Sequence, residues 1–126
     1  MPRSFGSLRP PRGIKIRPKE DRATARQRGY DAAWDRLSLQ VREEEGICQR
    51  CDFYGMVRPA EIVDHKMPTA DGGEMMDRGN LWSLCQRCHS WKRELEAYAR
   101  RNGHVHMLRI WCDDLDQVPQ RFKPLR

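Results

Sequence analysis

From Ile62 to His89 the chain reads IVDHKMPTADGGEMMDRGNLWSLCQRCH, and the order of signals in that stretch sets the architecture. Ile62 and Val63 are β-branched and predict a short strand, closed by Asp64 and His65. A loop rich in Gly and Asp follows, Met67 to Asn80. Leu81-Trp82-Ser83-Leu84 is a second short apolar run, suited to pair antiparallel with the first. His89 directly follows Cys88 and opens a helix with Trp91, Leu95 and Tyr98 on one face. The order is strand, loop, strand, helix. Adjacent strand residues point to opposite sides, so Asp64 and His65 cannot share one job from the same face. One can hold a metal while the other reaches a substrate.

Working outward, Cys85 and Cys88 form one C-x2-C pair, and Cys48 and Cys51 form another with the same CQRC spelling. Each pair presents two thiolates, and two pairs complete a tetrahedral shell of four sulfurs around zinc. The 33 residues between Cys51 and Cys85 exceed a zinc-ribbon gap, so further structure folds between the knuckles. A closed four-thiolate site leaves no open position, which makes this zinc structural, with binding energy that becomes folding energy. That suits a chain of 126 residues, 38% hydrophobic and 33% charged, whose core is small. The rival reading, a redox C-x-x-C pair, lacks its βαβ setting. No apolar region follows the basic N-terminus, and no stretch is long enough to span a bilayer, so a cytoplasmic location is expected. There, five cysteines read as metal ligands before disulfides, with Cys112 left as an unpaired thiol.

Ahead of the first knuckle, Tyr30, Ala33, Trp34, Leu37 and Val41 recur at helical spacing, and Gly46 supplies a stop. Tyr30 and Trp34 read as core residues of this amphipathic helix. Residues 1–28 hold nine Lys or Arg against two acids, +7, so of the total +6 only −1 belongs to the rest. This Pro- and Gly-containing tail is expected to be disordered when free. Arg9, Arg12, Lys15 and Arg17 are its candidate phosphate contacts, since neutralised phosphates release counterions. A merely solubilising tail is the alternative.

The string VDH, Asn80 fifteen residues after His65, and LCQRCHSWK together resemble the HNH endonuclease motif over Cys48 to about Lys92. The lead-in RGYDAAWDRLSLQVREEEGICQRC is similar to that of small phage HNH endonucleases encoded beside terminase genes. The resemblance implies an α+β fold: a small ββα-metal module stapled by the four-cysteine zinc site, preceded by the amphipathic helix and the basic tail. It implies a DNA endonuclease with double-stranded DNA as partner, terminase subunits as a further partner, and no membrane. His65 matches the general base. Asp64 and His89 match the ligands of one catalytic divalent cation, Mg²⁺ or Mn²⁺, with Ni²⁺ or Zn²⁺ also tolerated by imidazole. Asn80 matches the residue that steadies the loop and the base. Phosphodiester hydrolysis needs an activated water, a neutralised phosphate and help for the leaving oxygen, and these residue types supply each.

Each residue also has a plainer reading. His65 can be a surface histidine ending a strand, Asp64 a turn-former, Asn80 a cap, and His89 a zinc ligand in place of a cysteine. Lys92, taken as lying on the same helix side as His89, is either a phosphate contact or a solvated helix charge. The alternative function is a zinc-stabilised nucleic-acid-binding module that no longer catalyses; a zinc-bridged protein-interaction module fits the basic arm poorly. Three regions are expected: the tail 1–28, a nuclease domain 29–103 and a C-terminal extension 104–126. In the last, HVHMLRIW is expected as a strand or extended arm, with His104 and His106 without a role and a loose tail at the end.

Overall fold

The computed structural model describes residues 25–124, the first six of them by backbone alone. Arg9, Arg12, Lys15, Arg17 and most of the basic tail lie outside the described residues, as does the side chain of Tyr30. Helix α1, Ala25–Glu45, starts ahead of the periodic stretch, because Ala25, Arg26, Gln27 and Arg28 are all tolerant helix formers. The expectation of a disordered tail through residue 28 is corrected to that extent. Gly46, at φ 72°, ends α1 in the left-handed conformation that glycine adopts without Cβ strain. The compact unit that carries the site begins at Trp34.

The first knuckle is a short helix, α2, Gln49–Phe53, which the spacing alone did not reveal. Cys48 is its N-cap, and its sulfur accepts the N–H of Cys51 at 3.4 Å. The two strands, β1 (Ile62–His65) and β2 (Leu81–Leu84), pair antiparallel with Ile62 opposite Leu84, Asp64 opposite Trp82 and His65 opposite Leu81. Helix α3, Gln86–Asn102, follows β2 and stops at Gly103, φ 70°. The small α+β fold, strand, loop, strand, helix, is the one the quoted stretch called for. Glu45 ties α1 to the sheet: its Oε1 accepts the Ser83 N–H at 2.7 Å, an edge donor of β2 with no strand beyond it among the described residues.

The C-terminal segment departs from expectation. HVHMLRIW forms a 3₁₀ turn, Val105–Met107, and a helix, α4, Leu108–Asp113, in place of a strand. Leu108, Trp111 and Cys112 recur at three and four, so the helical period puts these three inside, and Leu115 is buried in the 3₁₀ turn Leu115–Gln117 that follows. Val118 and Phe122 are buried with them, and the Trp91 indole N–H reaches the Phe122 carbonyl at 2.9 Å. Val118 and Phe122 are therefore core, where a loose tail was expected; residues 125 and 126 lie outside the described residues. Each such apolar side chain is worth roughly 1.5–3 kcal/mol when fully buried. Burial pushes the Cys112 thiol up to about 12, which keeps it protonated and inert.

Candidate metal centres and catalytic site

The four sulfurs of Cys48, Cys51, Cys85 and Cys88 are buried and lie within 4.8 Å of one another. Cys51 Sγ is 3.8 Å from Cys85 Sγ and 3.7 Å from Cys88 Sγ. A tetrahedron of thiolates about 2.3 Å from its centre has edges of roughly 3.8 Å, so the donor set fits zinc. Arg50 leans on this cluster from the first knuckle. Its Nη1 donates to Cys88 Sγ at 3.4 Å, and its guanidinium lies 4.0 Å from the Trp91 ring centroid. A cation held there offsets thiolate charge.

The hairpin and α3 bring Asp64 and His89 together, and His65 follows Asp64 at the end of β1. Asp64 Oδ1 stands 3.8 Å from His89 Nε2, with both side chains partly accessible at 12% and 28%. That gap is less than two ordinary metal–ligand bonds of about 2.1 Å, so a single divalent ion fits between these donors. The other carboxylate oxygen is already occupied. Oδ2 accepts the Trp82 indole N–H at 3.0 Å and faces Lys92 Nζ at 2.9 Å. The carboxylate is thereby turned so that Oδ1 is the oxygen left for His89 and an ion.

His65 is fixed through its other nitrogen. Its Nε2 lies 3.1 Å from the Met75 carbonyl, which can only accept, so Nε2 is the donor there and Nδ1 is the nitrogen that bears the lone pair in the neutral ring. Asn80, 1% exposed, holds the loop that supplies this carbonyl. Its Nδ2 donates to the Met67 and Glu74 carbonyls at 3.0 Å each, and its Oδ1 accepts the Met67 N–H at 2.9 Å. Glu74 adjoins Met75, so Asn80 sets the base through one peptide. Gly73 closes the same loop: a Cβ there would stand 1.8 Å from the Met67 carbonyl oxygen, and no other residue fits unless the loop moves.

Lys92 is placed unlike either expectation. Its side chain is 0% exposed, with Nζ donating to the His65 carbonyl at 2.8 Å and to Glu96 at 2.5 Å besides facing Asp64. It is neither a phosphate contact nor a solvated charge. The reason lies in the helix period: Cys88, Lys92, Leu95 and Ala99 form the buried stripe of α3, and position 92 faces inward. Burial opposes its charge, but the carboxylates of Asp64 and Glu96 outweigh that and hold its pKa above the usual lysine value. Trp82 and Glu45 were also missed as supporting residues. Trp82 was legible in principle, since it stands directly across the hairpin from Asp64.

Residues 48–94 match the family model for the HNH endonuclease. Among solved structures, the chain is similar to the HNH endonuclease of the deep-sea thermophilic bacteriophage GVE2, crystallised with manganese ion. The two are 33% identical, over 61% of this chain and 84% of that one, with a TM-score of 0.48. No curated protein matches the chain. With that identity across most of the phage protein, and a family match spanning both cysteine pairs, the chain belongs to the HNH endonuclease family. Among the described residues, no helix is long and apolar enough to cross a membrane.

Proposed function

We propose that this protein is a metal-dependent endonuclease that hydrolyses phosphodiester bonds of double-stranded DNA, with His65 as general base. The observation that carries the reading is the pair Asp64 Oδ1 and His89 Nε2, 3.8 Å apart, with the next strand residue, His65, turning its Nε2 to the Met75 carbonyl. Asp64 and His89 would hold one divalent cation, Mg²⁺ or Mn²⁺. When bound, that cation supplies charge neutralisation at the phosphate and at the leaving 3′-oxygen. His65 Nδ1 accepts the proton of the attacking water, and the Nε2–H bond to Met75 stabilises the imidazolium that results. Asn80 keeps the loop in the geometry that this requires. The four-cysteine zinc is structural and stays apart from the chemistry.

Manganese in the phage relative supports the choice of a hard divalent ion, and the phage source of that relative supports a phage or prophage origin. The remaining parts of the reading are action beside terminase subunits during DNA packaging, in the host cytoplasm. They rest on the lead-in segment's resemblance to phage endonucleases. Arg9, Arg12, Lys15 and Arg17 contribute nonspecific phosphate contacts, so deleting residues 1–19 should weaken DNA binding and flatten its salt dependence.

Plasmid nicking by wild type and His65→Ala, with Mg²⁺ or Mn²⁺ and with chelator, tests the reading. Expected is cleavage that needs added metal and falls by roughly 10²–10⁴-fold in the variant. Equal activity in both proteins removes His65 as base. Zinc-loaded protein that retains DNA on a gel and cuts under no condition is instead the binding module.

A further inference from the structure

The indole of Trp34 lies on the imidazole of His65, with ring centroids 4.9 Å apart and planes 18° from parallel. Helical periodicity alone reads Trp34 as a core residue. It is only half-buried, and it is not among the residues of the main core or those packed against it. Among the described residues, the ring it contacts is that of His65.

His65 is otherwise held at two points. Its carbonyl accepts from Lys92, and its Nε2–H donates to Met75. Those bonds fix the backbone and one edge of the ring. They leave rotation about the Cβ–Cγ bond restrained by a single hydrogen bond. A flip about that bond would put the Cδ2 carbon where Nδ1 stands and abolish the basic edge. A flat indole against one face of the ring blocks that rotation, because any turn of the imidazole drives its edge into the indole.

We propose that Trp34 is a positioning residue for the base: its stacked indole holds His65 in the single ring orientation that keeps Nε2–H on the Met75 carbonyl and presents Nδ1 to water. The proposal rests on His65 being the base, as argued above. It gives α1 a role in the reaction from outside the matched segment 48–94.

The test compares wild type, Trp34→Leu and Trp34→Phe as full-length, zinc-loaded proteins. Long-range proton–nitrogen NMR reports which ring nitrogen of His65 is protonated in the neutral form, with no cleavage needed. Wild type should show one Nε2–H tautomer, and Trp34→Leu the intermediate nitrogen shifts of an exchanging pair. Plasmid nicking with Mn²⁺ should lose about tenfold in kcat in Trp34→Leu with little change in KM. Trp34→Phe, which keeps an aromatic face, should recover most of that loss and the single tautomer. A Trp34→Leu protein with the wild-type tautomer and kcat overturns the proposal. A wild type whose His65 shows mixed tautomers overturns it whether or not the variants fold. Should His65→Ala cut normally while the Trp34 variants still change the His65 tautomer, the base assignment fails and the stacking restraint stands.

Discussion

Lys92 Nζ stands 2.9 Å from Asp64 Oδ2 at the bottom of the site, and the same ammonium donates to the carbonyl of His65. One buried cation therefore links the proposed metal ligand to the backbone of the proposed base. Lys92→Met leaves Asp64 and Glu96 facing each other without their partner. Breaking a buried pair this way costs about 3–5 kcal/mol, read as a lower urea midpoint. The sign of its pH dependence follows from the raised pKa. The stabilisation is fully present below the unfolded lysine value of about 10.4 and is lost only as pH rises through the folded value. The gap between wild type and variant should therefore stay flat from about pH 7 to 9. Since Lys92 does not reach solvent, folded variant should bind DNA with the wild-type salt slope.

Gly73→Ala tests the loop. The methyl group would meet the Met67 carbonyl oxygen at 1.8 Å, so the segment carrying Met75 must shift. A displacement near 1 Å at a catalytic group costs about 10²-fold in rate. Cleavage should fall by that order with zinc content unchanged. Wild-type kcat in Gly73→Ala would mean the loop geometry is not what holds His65.

Removal of one zinc ligand acts on the whole fold. Cys88→Ser should give protein with less than one zinc per chain by metal analysis, and loss of cooperative thermal unfolding, because the ion's binding energy is folding energy. A cooperatively folded, zinc-free Cys88→Ser protein would make the cluster dispensable.

Phe122→Ala probes the C-terminal segment. Phe122 is 6% exposed and meets Tyr98 edge-on at 5.2 Å and Trp91 at 6.5 Å. Truncating a buried Phe costs roughly 3–5 kcal/mol. Denaturant unfolding should show that loss; a change under about 0.5 kcal/mol would return these residues to the status of a surface tail.

Sequence alone determined the two strands, the following helix and the four-cysteine cluster. These depend on local spacing: β-branched runs, a 3.6-residue period and paired thiols carry their reason within a few residues. The candidates Asp64, His65, Asn80 and His89 were legible for the same reason, as a motif of fixed order. Tertiary structure alone decided what each does to the others. The oxygen Asp64 leaves open is set by Trp82 and Lys92, the tautomer of His65 by a carbonyl ten residues away, and the ring's orientation by Trp34 on another helix. Lys92 was misread because its charge argued for the surface, while its place in the buried stripe argued for the interior. Only the carboxylates brought to it by folding make burial of that charge favourable.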